Sequence, residues 1–238
     1  MINYRTIAIV PSAGLGIRFG LDTNKPFQIL GGKPLVVWAL ETLESVDEIQ
    51  EIIPVLRKED VDIGIEVFRS HNISKAKRVA AGGKERQDSV YNGLKLIEDK
   101  TCIILIHDGV RPFIEKSLIE KSIRDMAESL KDKKDCDGVI PGVPVKDTIK
   151  EAEGGIIKRT IKRDSLWAIQ TPQVFPYIKI STAYERSVKE GYYSTDDAAL
   201  IERYGGKIKV IMGSYRNIKI TTSDDLIFAE YLISRGRT

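Results

Sequence analysis

The run Val10-Pro11-Ser12-Ala13-Gly14-Leu15-Gly16-Ile17-Arg18-Phe19-Gly20 follows an apolar stretch, Thr6 to Val10, and is followed shortly by Lys25. Glycines just past a strand let backbone N–H groups approach a phosphate without a Cβ in the way. Arg18 and Lys25 place two cations within reach of the same loop, and neither is needed to make a turn. The chemistry this suits is charge neutralisation of a polyphosphate. Two common phosphate motifs are absent. The glycine spacing is one residue longer than the dinucleotide fingerprint, and Leu21 stands where a Walker A lysine would be. The acidic residue that ends the second strand of a dinucleotide fold is also missing, because Leu35 to Leu43 reads as a helix.

Four further segments carry polar groups at places where an α/β sheet presents them to a ligand. Asp108 follows the apolar run Ile103 to Ile106, where a carboxylate can hold Mg²⁺ against phosphate oxygens or close the strand as a turn acceptor. Gly82-Gly83 precedes a helix that carries Ser89, a candidate base pocket or a plain helix cap. Arg163 suits bidentate phosphate binding, and Lys219 follows the last strand-like run. His107 reads as a structural hydrogen-bonding residue, Arg111 as a partner of a carboxylate, and Trp167 as core. There is no G-x-S-x-G or H-E-x-x-H motif, and His71 and His107 are the only histidines. Cations, glycines and one well-placed aspartate suit phosphoryl or nucleotidyl transfer, where catalysis is mostly positioning and charge neutralisation.

The elements that must position these groups alternate. Short apolar runs predict strands at Thr6–Val10, Ile52–Leu56, Lys77–Ala81, Cys102–His107, Gly138–Pro141, Ala168–Phe175 and Lys207–Met212. Helical patterns begin near Lys33, Asp60, Arg86, Glu115, Tyr177, Asp196 and Ser223, the last with Asp224 and Asp225 at its positive end. This is an α/β chain with a mostly parallel sheet, forming a single domain over residues 1–238. One stretch breaks the alternation: residues 143–163 predict a β-hairpin around Gly154-Gly155. Such a hairpin is marginal alone. It is expected to project as an arm that joins two copies, with a flap on its own domain as the alternative.

The net charge of +3, from 37 basic and 34 acidic residues, implies no nucleic-acid surface. Cys102 and Cys136 lack metal spacing and read as buried thiols of a reduced cytosolic protein. No apolar run approaches the roughly 20 residues of a membrane span, and no signal peptide is visible. A cytoplasmic location without membrane contact is expected.

Taken in order, the segments resemble one family over nearly the whole chain, the 2-C-methyl-D-erythritol 4-phosphate cytidylyltransferases of the non-mevalonate isoprenoid pathway. The resemblance rests on Ser12-Ala13-Gly14-Leu15-Gly16-Ile17-Arg18, Gly83-x-x-Arg86-x-x-Ser89, His107-Asp108-x-x-Arg111-Pro112-Phe113, Pro144-Val145-x-Asp147-Thr148-Ile149-Lys150, Gln170-Thr171-Pro172-Gln173-x-Phe175, Thr195-Asp196-Asp197 and Asn217-Ile218-Lys219-Ile220-Thr221. It implies a Rossmann-like nucleotidyltransferase fold and transfer of CMP from CTP to the polyol phosphate, with release of pyrophosphate. By this likeness Arg18, Lys25 and Lys219 would stabilise the transition state. Ser12, Ala13, Gly14, Gly16, Gly83 and Ser89 would receive the nucleotide. Asp108 would also lie against the nucleotide and partner Mg²⁺ or another divalent cation. Thr148 and Arg163 would hold the acceptor phosphate in the neighbouring subunit's site of a homodimer.

Two departures stand out. The family's Pro-Lys-Gln segment reads Lys25-Pro26-Phe27-Gln28 here, and a lysine before proline is expected to be extended. Lys84 occupies a position where an acidic residue is common, which would add a contact to phosphate or ribose. A cytidylyltransferase for ribitol 5-phosphate shares most of these motifs. A nicotinamide oxidoreductase and a catalytically silent nucleotide-binding module are the alternatives from other classes.

Overall fold

Six consecutive buried residues, Thr6–Pro11, form the central strand β1. A strand buried on both faces reads as a continuous apolar run, and its side chains still alternate between faces. Ile7 and Ile9 pack on one side of the sheet with Val90, Leu94, Ile180 and Tyr184. Ala8 and Val10 pack on the other with Val36, Leu40, Ile119 and Met126. The computed structural model describes residues 4–14, 25–132 and 135–236, so Gly16, Arg18 and Gly20 of the glycine loop lie outside the described residues.

After the loop, β2 (Ile29–Leu30) and β3 (Lys33–Pro34) make a two-stranded ladder turned by Gly31 and Gly32, both with positive φ. This ladder takes up Lys33, so helix α1 begins two residues later than expected (Leu35–Glu44). β4 (Ile49–Leu56) and α2 (Val61–Ser70) follow. The expected strand at Lys77–Ala81 pairs only over β5 (Ala80–Ala81). Just before it, Arg78 is engaged through its guanidinium, which donates to Glu51 Oε1 at 2.7 Å. Next come α3 (Arg86–Lys95), β6 (Ile103–Ile106), α4 (Lys116–Lys131) and β7 (Gly138–Pro144).

The hairpin stretch forms β8 (Ile149–Glu153) and β9 (Ile156–Ile161), joined by Gly154 and Gly155 at φ +58° and +81°. Positive φ at both central residues is the geometry of a tight hairpin turn. The pair is a sheet of its own, and all of its residues are exposed except the half-buried Ile161.

The strand expected over Ala168–Phe175 is instead two, β10 (Trp167–Ile169) and β11 (Gln173–Pro176). Pro172 sits in the break and has no N–H to offer a ladder. α5 (Tyr177–Glu190), α6 (Asp197–Arg203), β12 (Ile208–Met212) and α7 (Ser223–Ser234) complete the described chain. α7 opens on a capping box in which the Thr222 hydroxyl accepts from Asp225 N and the Asp225 carboxylate accepts from Thr222 N.

The main sheet has the order β10-β7-β11-β6-β1-β4-β5, with β12 on the free edge of β7. β10 and β11 run against the other strands, which are parallel to one another. A third apolar cluster, Leu30, Leu35, Phe113, Ile220, Ala229 and Leu232, seats α7. Both cysteines are free thiols. Burial pushes the Cys102 thiol up to about 12, so it is a packed side chain with little nucleophilic character at neutral pH.

Leu105 is completely buried in β6. Leu105→Ala is expected to lower unfolding free energy by roughly 2–5 kcal/mol, the usual cost of such a cavity. Urea titration measures this as a lower midpoint at unchanged slope.

Candidate active site

The site forms where β1, β4 and β6 end. At the end of β1, Ser12 N donates to Val55 O at 2.8 Å, which turns the chain over the end of β4. Gly82 N donates to Leu56 O at 2.6 Å and brings the second glycine segment to the same place. A Cβ on Gly82 would stand 2.4 Å from the Ala13 Cβ, so the two backbones approach closely only because this residue is glycine. Ser89, in the first turn of α3, accepts from Gly83 N at 3.1 Å and donates to Glu85 O at 3.1 Å. No described residue comes within 4 Å of a Cβ built on Gly14. The resulting cavity has a volume of about 900 Å³.

Ser12, Ala13, Gly14, Lys25, Gly83, Ser89, Asp108 and Lys219 all line this one cavity. Lys25 opens a single 3-10 turn rather than an extended segment, and its carbonyl accepts from Gln28 N at 3.1 Å. Proline is tolerated in a first helical turn because its missing N–H would have no partner there. The Lys-Pro order is thereby compatible with a lysine at the cavity. Lys84 is exposed on the rim. Thr148 and Arg163 are not among the cavity's lining residues. Both are exposed beside the hairpin, where the Arg163 guanidinium donates to Lys146 O.

Asp108 is the electrostatic centre. It is 5% exposed, and its carboxylate meets three cations: Arg86 Nε at 3.0 Å from Oδ1, and Lys219 Nζ at 2.9 Å and Arg111 Nε at 3.6 Å from Oδ2. Burial alone would raise its pKa. Arg86, Lys219 and Arg111 outweigh burial and hold the carboxyl well below the usual carboxylate range. Arg111 Nη1 also donates to Asn217 O at 2.6 Å, fixing the loop that carries Lys219. Asn217 Nδ2 ties the same loop to Thr171 O at 2.8 Å.

Behind Asp108 a short chain of hydrogen bonds sets the strand end. Asp108 N donates to Thr171 Oγ1 at 3.1 Å, and Thr171 Oγ1 lies 3.0 Å from His107 Nδ1. His107 Nε2 lies 3.2 Å from Arg111 O, and a carbonyl can only accept, so Nε2 carries the proton. Nδ1 then accepts the Thr171 hydroxyl. Burial pushes the His107 pKa down to about 4, so the ring is neutral and structural.

Arg86, Thr171 and Asp197 received no role in the sequence reading, although all three fall within its quoted motifs. A usable signal was present. Asp197 stands directly before the apolar run Ala198 to Ile201, and an acid buried with such a run requires a cation.

Among the described residues no three His, Cys, Asp or Glu side chains gather as a metal cage. Asp108 with ligand phosphate oxygens is a donor set that fits Mg²⁺, which uses one or two carboxylates and keeps several waters.

A model of the 2-C-methyl-D-erythritol 4-phosphate cytidylyltransferase (IspD) family matches residues 6–235. The chain belongs to this family. It is 42% identical over 229 residues to the enzyme of that name from Geotalea uraniireducens, covering 95% of each chain. It is 43% identical over 227 residues to the enzyme of that name from Clostridioides difficile, covering 95% of this chain and 92% of the other. The crystal structure of 4-diphosphocytidyl-2C-methyl-D-erythritol synthase from Anaerococcus prevotii superposes with a TM-score of 0.82 at 33% identity, covering 98% and 97%. The sheet, mostly parallel and flanked by helices, matches the fold of that synthase, and in this cytidylyltransferase its carboxyl ends open on the cavity described above.

The depressed His107 value has a direct consequence for stability in this cytidylyltransferase. Between the unfolded value near 6.5 and the folded value of about 4, the unfolded chain binds more protons than the native one. Stability therefore falls as pH is lowered through that window, by about 3 kcal/mol in all, and levels off below it. A Tm measured from pH 7 to pH 4 should show this slope, and His107→Gln should show a flatter one.

Proposed function

We propose that this chain transfers the cytidylyl group of CTP to 2-C-methyl-D-erythritol 4-phosphate. An oxygen of the acceptor phosphate bonds to the α-phosphorus of CTP as the bond from that phosphorus to the β-bridging oxygen breaks, and pyrophosphate carries that oxygen away. The attacking oxygen is already anionic, so the step needs no protein base, and His107 is buried and neutral. What the step needs is positive charge around a crowded phosphorus. The observation that carries this reading is the meeting of Lys25, Lys219 and Asp108 in one glycine-walled cavity in a chain of this family.

Lys25 and Lys219 are assigned to the transition-state charge, with Arg18 as the third cation of the same set. Ala13 and Gly14 are assigned to cytidine, and Ser12 and Gly16 to the nucleotide. Gly83 and Ser89 are assigned to the base and ribose. Asp108 is the residue that would hold Mg²⁺, which supplies Lewis-acid neutralisation of the triphosphate. Lys219 rests on Asp108 Oδ2 at 2.9 Å and lines the cavity that would take the phosphates.

Thr148 and Arg163 are assigned to the acceptor phosphate in the site of a second copy, reached by the hairpin. The exposed Ile156 and Ile157, 73% and 60% accessible, support a hairpin that is covered in a dimer. No helix among the described residues is long and apolar enough to cross a membrane, and a cytoplasmic location fits the phosphorylated substrates.

Pyrophosphate release with CTP and a panel of polyol phosphates tests the reaction. Turnover with 2-C-methyl-D-erythritol 4-phosphate is expected, and turnover with ribitol 5-phosphate alone would replace the acceptor named here. Lys219→Ala should lower kcat about a hundredfold or more with the CTP KM nearly unchanged, since charge stabilisation confined to the transition state is worth ~3 kcal/mol. Arg163→Ala should raise the KM for the polyol phosphate. Ile156→Asp with Ile157→Asp should sediment as a monomer and show the same acceptor KM defect. A monomeric wild type would remove the shared-site assignment.

A further inference from the structure

Asp197 does not line the cavity, yet it is a fully buried carboxylate at the start of α6, set against an arginine of the site. Arg86 lies between two acids. Its Nη1 and Nη2 donate to Asp197 Oδ1 and Oδ2 at 3.1 and 2.8 Å, a two-pronged grip. Its Nε donates to Asp108 Oδ1 at 3.0 Å, a single contact. Lys219 then has Asp108 Oδ2 to itself apart from the more distant Arg111.

Asp197 is itself immobilised. The Tyr184 hydroxyl donates to its Oδ1. The helix start is pinned by Asp196 Oδ1 accepting from Ala199 N at 2.9 Å, and by Gln173, which donates to Asp196 Oδ2 at 2.7 Å and accepts from Ala198 N at 3.0 Å.

We propose that Asp197 is a positioning residue for nucleotidyl transfer: by holding both Nη groups of Arg86 it confines that arginine to one oxygen of Asp108 and reserves the other for Lys219. The physical reason is the shape of the guanidinium. Its five N–H groups form a planar fork whose preferred partner is a carboxylate held at both oxygens. With Asp197 engaged at Nη1 and Nη2, the guanidinium is held so that Nε is the atom it presents to Asp108. With Asp197 neutralised, the fork turns onto Asp108, covers both its oxygens, and displaces Lys219 from the place where the phosphates arrive. Asp197 thus acts on the reaction through Arg86 and then Lys219, without touching a substrate. This inference rests on the transfer reaction proposed above.

The test is a double-mutant cycle on the full chain, with pyrophosphate release measured at saturating CTP, acceptor and Mg²⁺. Asp197→Asn should lower kcat roughly 10–100-fold, the usual range for residues that orient a site from behind. The CTP KM and the thermal shift produced by CTP with Mg²⁺ should stay near wild type. In an Arg86→Gln background, Asp197→Asn should add no further loss, because the residue through which it acts is gone. Multiplying losses, or a defect confined to the CTP KM, would overturn the proposal and leave Asp197 as a residue of the fold alone.

If Asp197→Asn does not fold, Asp197→Ser decides, since it too removes the carboxylate that grips both Nη groups of Arg86. A lower kcat at unchanged CTP KM supports the proposal, and a wild-type kcat overturns it. Wild-type turnover serves as the control that separates this inference from the reaction itself. If the wild type does not turn over, it is the proposed function that fails.

Discussion

A single buried carboxylate, Asp108, sets the terms for everything around it. Taking a carboxylate out of water is costly unless cations and hydrogen bonds replace the lost hydration. Here they come from widely separated parts of the chain: Arg86 opens α3, Arg111 follows β6, and Lys219 follows β12. Each can reach Asp108 only if its own element is docked, so folding the sheet and assembling the charge cluster are one event. Removing one partner leaves an uncompensated buried charge, typically a loss of 3–5 kcal/mol. The arrangement has a functional side too. A carboxylate that cannot be protonated at any physiological pH is a fixed counter-charge for lysines that must stay positive.

The sheet explains why these groups meet on one side. In a parallel α/β arrangement the strand ends that carry turns into helices all point the same way, and ligands bind there. β1 contributes its glycine loop, β6 contributes Asp108, and β5 leads through Gly82-Gly83 into α3. β10 and β11 run the opposite way, and the segment between them, Gln170 to Pro172, comes beside the end of β6 and Asp108. Thr171 in that segment bonds Asp108 N, and Thr171 O and Gln170 hold Asn217 of the Lys219 loop. The two antiparallel strands therefore supply the support of the site while the parallel ones supply its face.

How much of this could be read from residues alone follows from how local each signal is. The buried strands of β1 and β6 are continuous apolar runs, and the helix starts at Arg86, Tyr177 and Ser223 carry their own caps or patterns, so they were legible. Gly154-Gly155 announced its hairpin for the same reason. The break at Pro172 and the short β5 were not legible, because both depend on which neighbour a strand pairs with. The cavity residues Ser12, Lys25, Gly83, Ser89 and Asp108 each stand within two residues of an element end or in a first helical turn, which is a local feature, while Lys219 lies in the long loop between β12 and α7. The pairing of Arg86 with Asp197, 111 positions away, is not local. Only the fold decides which arginine a buried aspartate will find.

The third apolar cluster carries a consequence of a different kind. It is small, it is separate from the two clusters that line the sheet, and it holds Ile220 beside Lys219 together with Leu30, Leu35 and the seat of α7. Proteins open locally in units whose stability follows their own buried contacts. α7 therefore has an apolar seat of its own, apart from the sheet, whereas Lys219 keeps its alignment through Asn217, which Arg111 and Thr171 hold. Amide exchange along α7 would record that separate seat as weaker protection than in the sheet.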